Sequence, residues 1–167
     1  MLLVPKNASD EWKNAYAKIT IRNVASIIEV EHRKYSVLNG MVILNDKNVS
    51  GDCLYIVNGI VILETVEKIP DLCVNGLLLK RKKSRYEMTR MNGRSVEVED
   101  NVVIKPYPNT IEIDGDTVRS FDYNTLVAAG NNVDIDDDVT EQMLSDKKIT
   151  FAAVSYTHLR AHETSLH

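Results

Sequence analysis

Short apolar runs, each interrupted once by an Asn-Gly pair or its equivalent, recur along the middle of the chain. The interrupted runs contain Asn39-Gly40, Asn58-Gly59, Asn75-Gly76, Asn92-Gly93, Asp114-Gly115 and, in the weakest unit, Gly130 after Ala129. Successive glycines stand 19, 17, 17, 22 and 15 residues apart. A period in this range, with one turn signal in each unit, is typical of repeat architectures.

Two architectures fit this pattern. In a β-solenoid each repeat is one coil, and the Asn-Gly pairs are equivalent corners that stack from coil to coil. In a meander each pair is the turn of a hairpin, and Asn-Gly between apolar strands is the strongest short hairpin signal. The near-constant period favours the solenoid, because stacked coils must share a length. We therefore predict an all-β fold, a β-solenoid of about six short repeats, with consecutive β-hairpins forming a meander as the alternative.

Two columns of apolar residues flank the glycines. Two residues before glycine stand Leu38, Val57, Val74, Met91, Ile113 and Ala128. Three residues after glycine stand Ile43, Ile62, Leu79, Val96, Val118 and Val133. Because every member is apolar, we predict that both columns line a common interior.

Short helices are predicted at the N-terminus and near residues 138–147. Residues 7–18 place Trp12 and Tyr16 four apart, on one helical face. The later helix follows an acidic run and would be capped by Asp137 or Asp138. The chain then divides into an N-terminal helix with capping strands over residues 1–34, a β repeat array over residues 35–154, and a tail over residues 155–167.

The tail differs in kind from the repeats. The string from Ser155 to Thr164 resembles a translated sequencing adapter of the sort found at the ends of unrelated metagenomic gene predictions. This resemblance implies that residues 155–167 are an artefact and that the natural gene continues past Val154. Three of the four histidines lie in this tail, and only His32 remains in the body. The body therefore has a single copy of the commonest side chain for acid–base catalysis near neutral pH.

Composition limits the class of partner. The chain has 167 residues, 44% of them hydrophobic and 26% charged, with a net charge of −4. This balance is ordinary for a globular protein, and the negative charge argues against a nucleic-acid partner. No apolar run approaches the ~20 residues that span a bilayer, and no secretory signal opens the chain. We expect a cytoplasmic protein with no membrane partner.

Charged and sulfur-containing residues suggest no catalytic centre. Cys53 and Cys73 lack metal-ligand spacing, and Cys73 stands where other repeats have an aliphatic residue. The acidic run 134–138 alternates like a calcium loop, but Val139 replaces the glycine that such a loop requires. The basic run from Lys80 to Arg85 has no ladder of aromatic residues for stacking on bases. We expect no enzyme activity, no cofactor, and no catalytic, cofactor-binding or metal residues.

A second apolar surface is the sequence feature most suggestive of function. The first three repeats are apolar on both faces of the strand, whereas the later ones are apolar on one face only. We predict either an interface or a surface covered by the Trp12/Tyr16 helix. The candidate interface residues are Met41, Leu44, Ile60, Leu63 and Leu77.

The Val-Asn-Gly units at Asn58 and Asn75 resemble uncharacterised repeat proteins of gut bacteria, and this resemblance implies no activity. The coil length is similar to that of bactofilin-like cytoskeletal β-helices. The sequence thus predicts a non-enzymatic repeat protein that acts as a binding or assembly module, with a protein partner or self-association. The alternatives are a polymer-forming cytoskeletal-type scaffold and, by fold analogy, a β-helix enzyme acting on polysaccharide.

Overall fold

The computed structural model describes residues 2–6, 9–11, 14, 27–30, 34–154 and 157–159. Its largest sheet has four long strands, in the order β3, β4, β5, β6. These strands are β3 (Lys34–Asn45), β4 (Cys53–Glu64), β5 (Asp71–Arg81) and β6 (Glu87–Val98). Every strand pair in the described part of the chain is parallel. Parallel pairing of consecutive repeats confirms the β-solenoid and excludes the hairpin meander.

Two further stacks of three strands complete the array. One contains β7 (Val103–Tyr107), β9 (Thr125–Ala129) and β11 (Thr150–Ala153). The other contains β8 (Ile111–Ile113), β10 (Val133–Ile135) and β12 (Thr157–Leu159). Helices α1 (Gly115–Ser120) and α2 (Glu141–Lys147) follow β8 and β10. The solenoid makes about five turns in all, and a separate parallel pair joins β1 (Leu2–Pro5) to β2 (Ile27–Val30).

The first four Asn-Gly pairs lie beside one another in the long strands, as predicted. Gly40, Gly59, Gly76 and Gly93 share one register position, and all four have positive φ. A Cβ atom on Gly76 would overlap the backbone carbonyl oxygen of Gly59. Only glycine therefore fits where one coil lies directly on the next.

The asparagines beside these glycines form a ladder. The Asn58 side-chain amide donates to Asn39 Oδ1 at 2.9 Å, and the Asn75 amide donates to Asn58 Oδ1 at 2.8 Å. Such ladders of identical amides are typical of stacked parallel strands. The repeat of Asn-Gly thus reflects two constraints, one on backbone space and one on side-chain hydrogen bonding.

Both faces of the four-stranded sheet are apolar. We call the face that carries Val57 and Val61 the first face, and the face that carries Ile60 and Ile62 the second face. The first face forms a core cluster with Val49 from the connection after β3. The two predicted columns do not share one interior, because positions two before and three after glycine are five residues apart. An odd separation places side chains on opposite faces of an extended strand.

The second face of the long strands packs against the C-terminal stack. Ile60 and Leu77 belong to one buried cluster with Leu126 and Ala128 of β9 and Ala152 of β11. All five residues of β9 are buried, because this strand has the four-stranded sheet on one side and the C-terminal core on the other. Ile43, which is in the predicted interior column, is instead 45% exposed.

Several local predictions need correction. Asp114-Gly115 is not a stacked corner, because Asp114 caps α1 by accepting a hydrogen bond from the Thr117 amide and Gly115 is the first helical residue. Gly130 lies against the carbonyl group of Pro108 rather than in the main glycine column. The predicted late helix is confirmed as α2, but its N-cap is Thr140.

The predicted N-terminal helix falls largely outside the described residues. Asp10, Glu11 and Asn14 are helical, whereas Trp12 and Tyr16 lie outside the described part of the chain. At the other end, Thr157–Leu159 pairs with β10 as strand β12. Three residues of the predicted tail therefore lie in the C-terminal sheet.

A buried carboxylate secures the one irregularity between the long strands. The register between β5 and β6 shifts at Leu72/Cys73, where Thr89 is the extra residue of β6. Asp71, which is 8% exposed, accepts hydrogen bonds from the Thr89 amide at 3.0 Å and its hydroxyl at 2.7 Å. The bulge thereby keeps its backbone amide paired, as a buried polar group requires.

Candidate functional site

Four of the five predicted interface residues are core residues. Ile60 and Leu77 are 1% and 0% exposed beneath the C-terminal stack. Leu44 and Leu63 are equally buried but belong to the first-face cluster. Positions one and four after glycine are three residues apart, so they point to opposite faces and could never form one surface. The predicted interface is therefore wrong at these positions, and only Met41 remains exposed.

The exposed apolar surface lies on β3 instead. Its members occupy alternate positions on the second face of this strand, and the C-terminal stack leaves them uncovered. They are Tyr35 (65% exposed), Val37 (51%), Met41 (43%) and Ile43 (45%). We call this set the β3 stripe. Its counterparts on β4, by register, are Leu54, Ile56, Ile60 and Ile62, all of them buried.

The β3 stripe borders an open sheet edge. β3 is the terminal strand of its sheet, and within the described ranges no strand pairs with its outer side. A Cβ atom on Gly40 would meet nothing within 4 Å, unlike one on Gly59, Gly76 or Gly93. Asn39 ends the amide ladder: its Oδ1 accepts from Asn58, and its own amide nitrogen has no hydrogen bond to any described residue. Backbone and side-chain groups are thus available for another strand.

The opposite edge of the same sheet is protected by charge. On β6 the position of Met41 is taken by Arg94 and that of Val37 by Arg90, with Glu87 and Glu97 near the two ends. Arg94 also reaches the carbonyl oxygen of Ala153, at 3.5 Å. Charged residues on an edge strand oppose pairing with another chain. The two edges of this sheet therefore differ strongly in their capacity to accept a strand.

The basic run is neutralised by the next coil. Lys80 lies 3.4 Å from Glu97, Lys82 lies 3.2 Å from Glu99, and Lys83 lies 3.7 Å from Asp100. Arg81 donates to the backbone carbonyl oxygens of Glu99 and Val102 at 2.8 and 3.0 Å. These pairs are exposed and each is worth roughly 0–1 kcal/mol. They nonetheless match nearly every cation of the run from Lys80 to Arg85 with an anion, so little of its positive charge is left unbalanced.

A cleft beside this run is smaller than a typical ligand site, and its charged lining residues already pair with one another. It has a volume of about 220 Å³ and is lined in part by Glu64, Arg81, Lys83 and Asp100. Arg81 is 3.6 Å from Glu64, and Lys83 faces Asp100. Small-molecule sites usually enclose about 300–1,000 Å³. We assign this cleft no function.

The cysteines have the environment of structural residues. Burial raises the pKa of both the Cys53 and Cys73 thiols above the ordinary value of 9.0. The raised pKa keeps both thiols protonated and poorly nucleophilic at neutral pH. Across the residues that the structure describes, no three His, Cys, Asp or Glu side chains come together as a metal site.

One carboxylate ties the end of β3 to the next connection. Asp46 Oδ1 accepts hydrogen bonds from the amides of Val66, Glu67 and Lys68 at 3.2, 3.1 and 2.9 Å. These bonds, with that from Lys68 the largest contribution, lower the pKa of Asp46 below its ordinary value of 3.8. At the other end of β3, Lys34 pairs with Asp52 at 3.1 Å.

The lowered Asp46 pKa predicts an acid-sensitive loop. A carboxyl group with a lower pKa in the folded than in the unfolded chain stabilises the fold above the unfolded value, and this contribution disappears as pH falls through the folded pKa. We expect the amide NMR shifts of Val66, Glu67 and Lys68 to change together at a pH below 3.8. Asp46→Ala should show the released shifts at every pH. Amide shifts that stay constant through this titration would contradict the assigned hydrogen bonds.

In comparisons with known proteins, no family model, curated protein or solved structure matches the chain. Among the described residues, no helix has the length and apolar character needed to cross a membrane. Of the surface features described here, the β3 edge is the one that combines free hydrogen-bonding groups with exposed apolar side chains. Of the residues along this edge, only Met41 was predicted from the sequence as an interface residue.

Proposed function

We propose that this chain is a non-enzymatic binding or assembly module that accepts an additional β-strand along β3. The observation that carries the proposal is the asymmetry of the four-stranded sheet. One edge is apolar and open at Gly40, while the other carries Arg90 and Arg94. Strand addition of this kind gains affinity from backbone hydrogen bonds and specificity from alternate side chains.

The chemistry of the edge supports a protein ligand. A strand paired with β3 would satisfy backbone groups over as many as 12 residues. It would also cover the four half-exposed side chains of the β3 stripe, each contributing about 1 kcal/mol by burial. Association costs offset much of this gain, so we expect dissociation constants on the order of 1–100 μM. The cytoplasm is the compartment that we propose for this interaction, from composition alone.

The alternative of a head-to-tail polymer has less support. A filament built by repeating the coil stack would place β6 of one copy against β3 of the next. Arg90 would then face Val37 of the partner subunit, and Arg94 would face Met41 of the partner subunit. Burying these arginines without acidic partners is unfavourable. The alternative of a polysaccharide-acting enzyme rests only on analogy with other β-helices.

A strand peptide tests the proposed function directly. The probe is a fluorescent peptide with the sequence of residues 34–45, extended by two lysines at each end for solubility. We expect it to bind the purified chain with a dissociation constant in the range above. Its affinity for the Val37→Lys/Ile43→Lys variant should be at least tenfold lower. The matched control, Val103→Lys/Thr150→Lys, adds two lysines at exposed positions of the C-terminal stack, away from the β3 edge. Absence of binding, or equal loss in both variants, would overturn the proposal.

A further inference from the structure

We infer that the strand that pairs with β3 is β3 of a second copy of this chain, in a closed antiparallel dimer. This inference rests on the proposed function, because it names the partner of the same edge. A twofold axis relates the two copies, so the same surface serves both subunits. The sequence of β3 supports this arrangement, because its order of side chains is complementary to its own reverse.

The twofold axis must relate one residue of β3 directly to the same residue of the partner subunit. An axis perpendicular to the sheet keeps each side chain on its face, and directly opposed residues in antiparallel strands share a face. Opposed residues therefore differ by an even number, which excludes an axis between Asn39 and Gly40. An axis at Asn39 satisfies this condition and sits at the middle of the strand.

With the axis at Asn39, the stripe pairs with itself. Tyr35 opposes Ile43 of the partner subunit, and Val37 opposes Met41 of the partner subunit. Each pair occurs twice, so all eight stripe side chains contact another stripe side chain. Aromatic and aliphatic cross-strand pairs of this kind stabilise antiparallel sheets. An axis at Gly40 would instead place Tyr35 against Asn45 and Met41 against Asn39 of the partner subunit, leaving four of the eight stripe side chains without an apolar partner.

The polar residues of β3 fit the same arrangement. Asn39 faces Asn39 of the partner subunit on the axis, where the free amide of each can donate to the other's carbonyl oxygen. Lys34 lies diagonal to Asp46 of the partner subunit at both ends of the paired strands. Lys34 is 71% exposed and its present partner Asp52 is 62% exposed, so the lysine is free to turn toward the second carboxylate. The Asp46 carboxylate is charged at neutral pH, as aspartate ordinarily is.

The same geometry limits the assembly to two copies. Pairing β3 with β3 uses the open edge of both sheets and leaves only the charged β6 edges at the two ends. Those ends resist further strand pairing. The expected species is therefore a reversible dimer with an eight-stranded continuous sheet, formed from two sheets of four strands each.

Single cysteines test the axis in the full chain. We expect Asn39→Cys to give a disulfide-linked dimer under mild oxidation, because only residue 39 opposes itself and opposed Cβ atoms lie ~4.5–5.5 Å apart. Val37→Cys and Met41→Cys each lie about 13 Å from their own copy across the axis, so at least fivefold less covalent dimer is expected. The unsubstituted chain, which keeps Cys53 and Cys73, measures the background.

Sedimentation velocity of the unsubstituted chain provides a readout that does not depend on any substitution. We expect a monomer–dimer equilibrium in the micromolar range that shifts to monomer in Val37→Lys/Ile43→Lys and is unchanged in Val103→Lys/Thr150→Lys. A chain that stays monomeric but binds the strand peptide would overturn the dimer and leave the proposed function standing. A chain that does neither would overturn both, and species larger than a dimer or equal crosslinking at residues 39 and 41 would overturn the closed arrangement.

Discussion

Gly76→Ala is expected to destabilise the protein by more than ~4 kcal/mol, enough to unfold a typical domain. The added Cβ would overlap the carbonyl oxygen of Gly59, which belongs to the backbone of the neighbouring coil and cannot rotate away. The positive φ of 140° adds a conformational cost. Relief would require the two coils to separate, which would break the hydrogen bonds between β4 and β5. Urea-induced unfolding followed by circular dichroism measures the loss.

Gly40→Ala is the matched control for this effect. Gly40 also has positive φ, at 82°, but no neighbouring atom lies within 4 Å of an added Cβ. The cost should therefore be limited to the left-handed conformation, roughly 1–2 kcal/mol. A difference of less than about 1 kcal/mol between the two variants would contradict direct stacking of the glycines, because the overlap with a neighbouring backbone is expected at Gly76 and not at Gly40.

Leu77→Lys is expected to abolish folding as well. Leu77 of β5 is completely buried beneath the C-terminal stack, where it packs with Leu126, Ala128 and Ala152. An ammonium group placed there has no anionic partner, and the cost of burying it adds to the loss of apolar packing. The sum exceeds ~5 kcal/mol. Thermal unfolding and size-exclusion chromatography will show whether a folded protein remains.

Met41→Lys provides the comparison at the same register position. Met41 is two strands away from Leu77, on the same face, and is 43% exposed. Its substitution should change the free energy of unfolding by less than about 1 kcal/mol while weakening association through β3. A folded, soluble Leu77→Lys protein would show that the C-terminal stack does not cover this face.

The coil stack could be predicted because its determinants are local. An Asn-Gly pair needs no distant residue to adopt positive φ, and four such pairs at similar intervals identified the column from Gly40 to Gly93. The same logic failed at Asp114-Gly115, where an acidic residue in the asparagine position caps a helix. The Asp114 carboxylate accepts a hydrogen bond from the backbone amide of Thr117, a donor that almost any residue supplies, so residue 117 did not mark the cap in the sequence.

The candidate site was harder to predict because exposure depends on which strands meet. Val37 and Ile56 occupy equivalent positions and have similar chemistry, yet one is 51% and the other 1% exposed. Among the described strands, β3 has a neighbour on one side only, whereas Ile56 packs in a buried cluster with Leu54 and Cys73 of the inner strands β4 and β5. The first repeat of any parallel stack has this property, so Val37 and Tyr35 could have been singled out from repeat order alone. The cover over Leu77 comes from β9, which is almost 50 residues later in the chain, and no local pattern reveals it.

The cross-coil ion pairs of the connection after β5 have a consequence for how polyanions meet this protein. In the native coil, acidic residues of the following repeat form ion pairs with Lys80, Lys82 and Lys83. Detachment of that repeat would release a polycationic segment, because the balancing acids would move away with β6. We therefore expect molecules in which this repeat has detached to bind heparin-like polymers more tightly than intact molecules do.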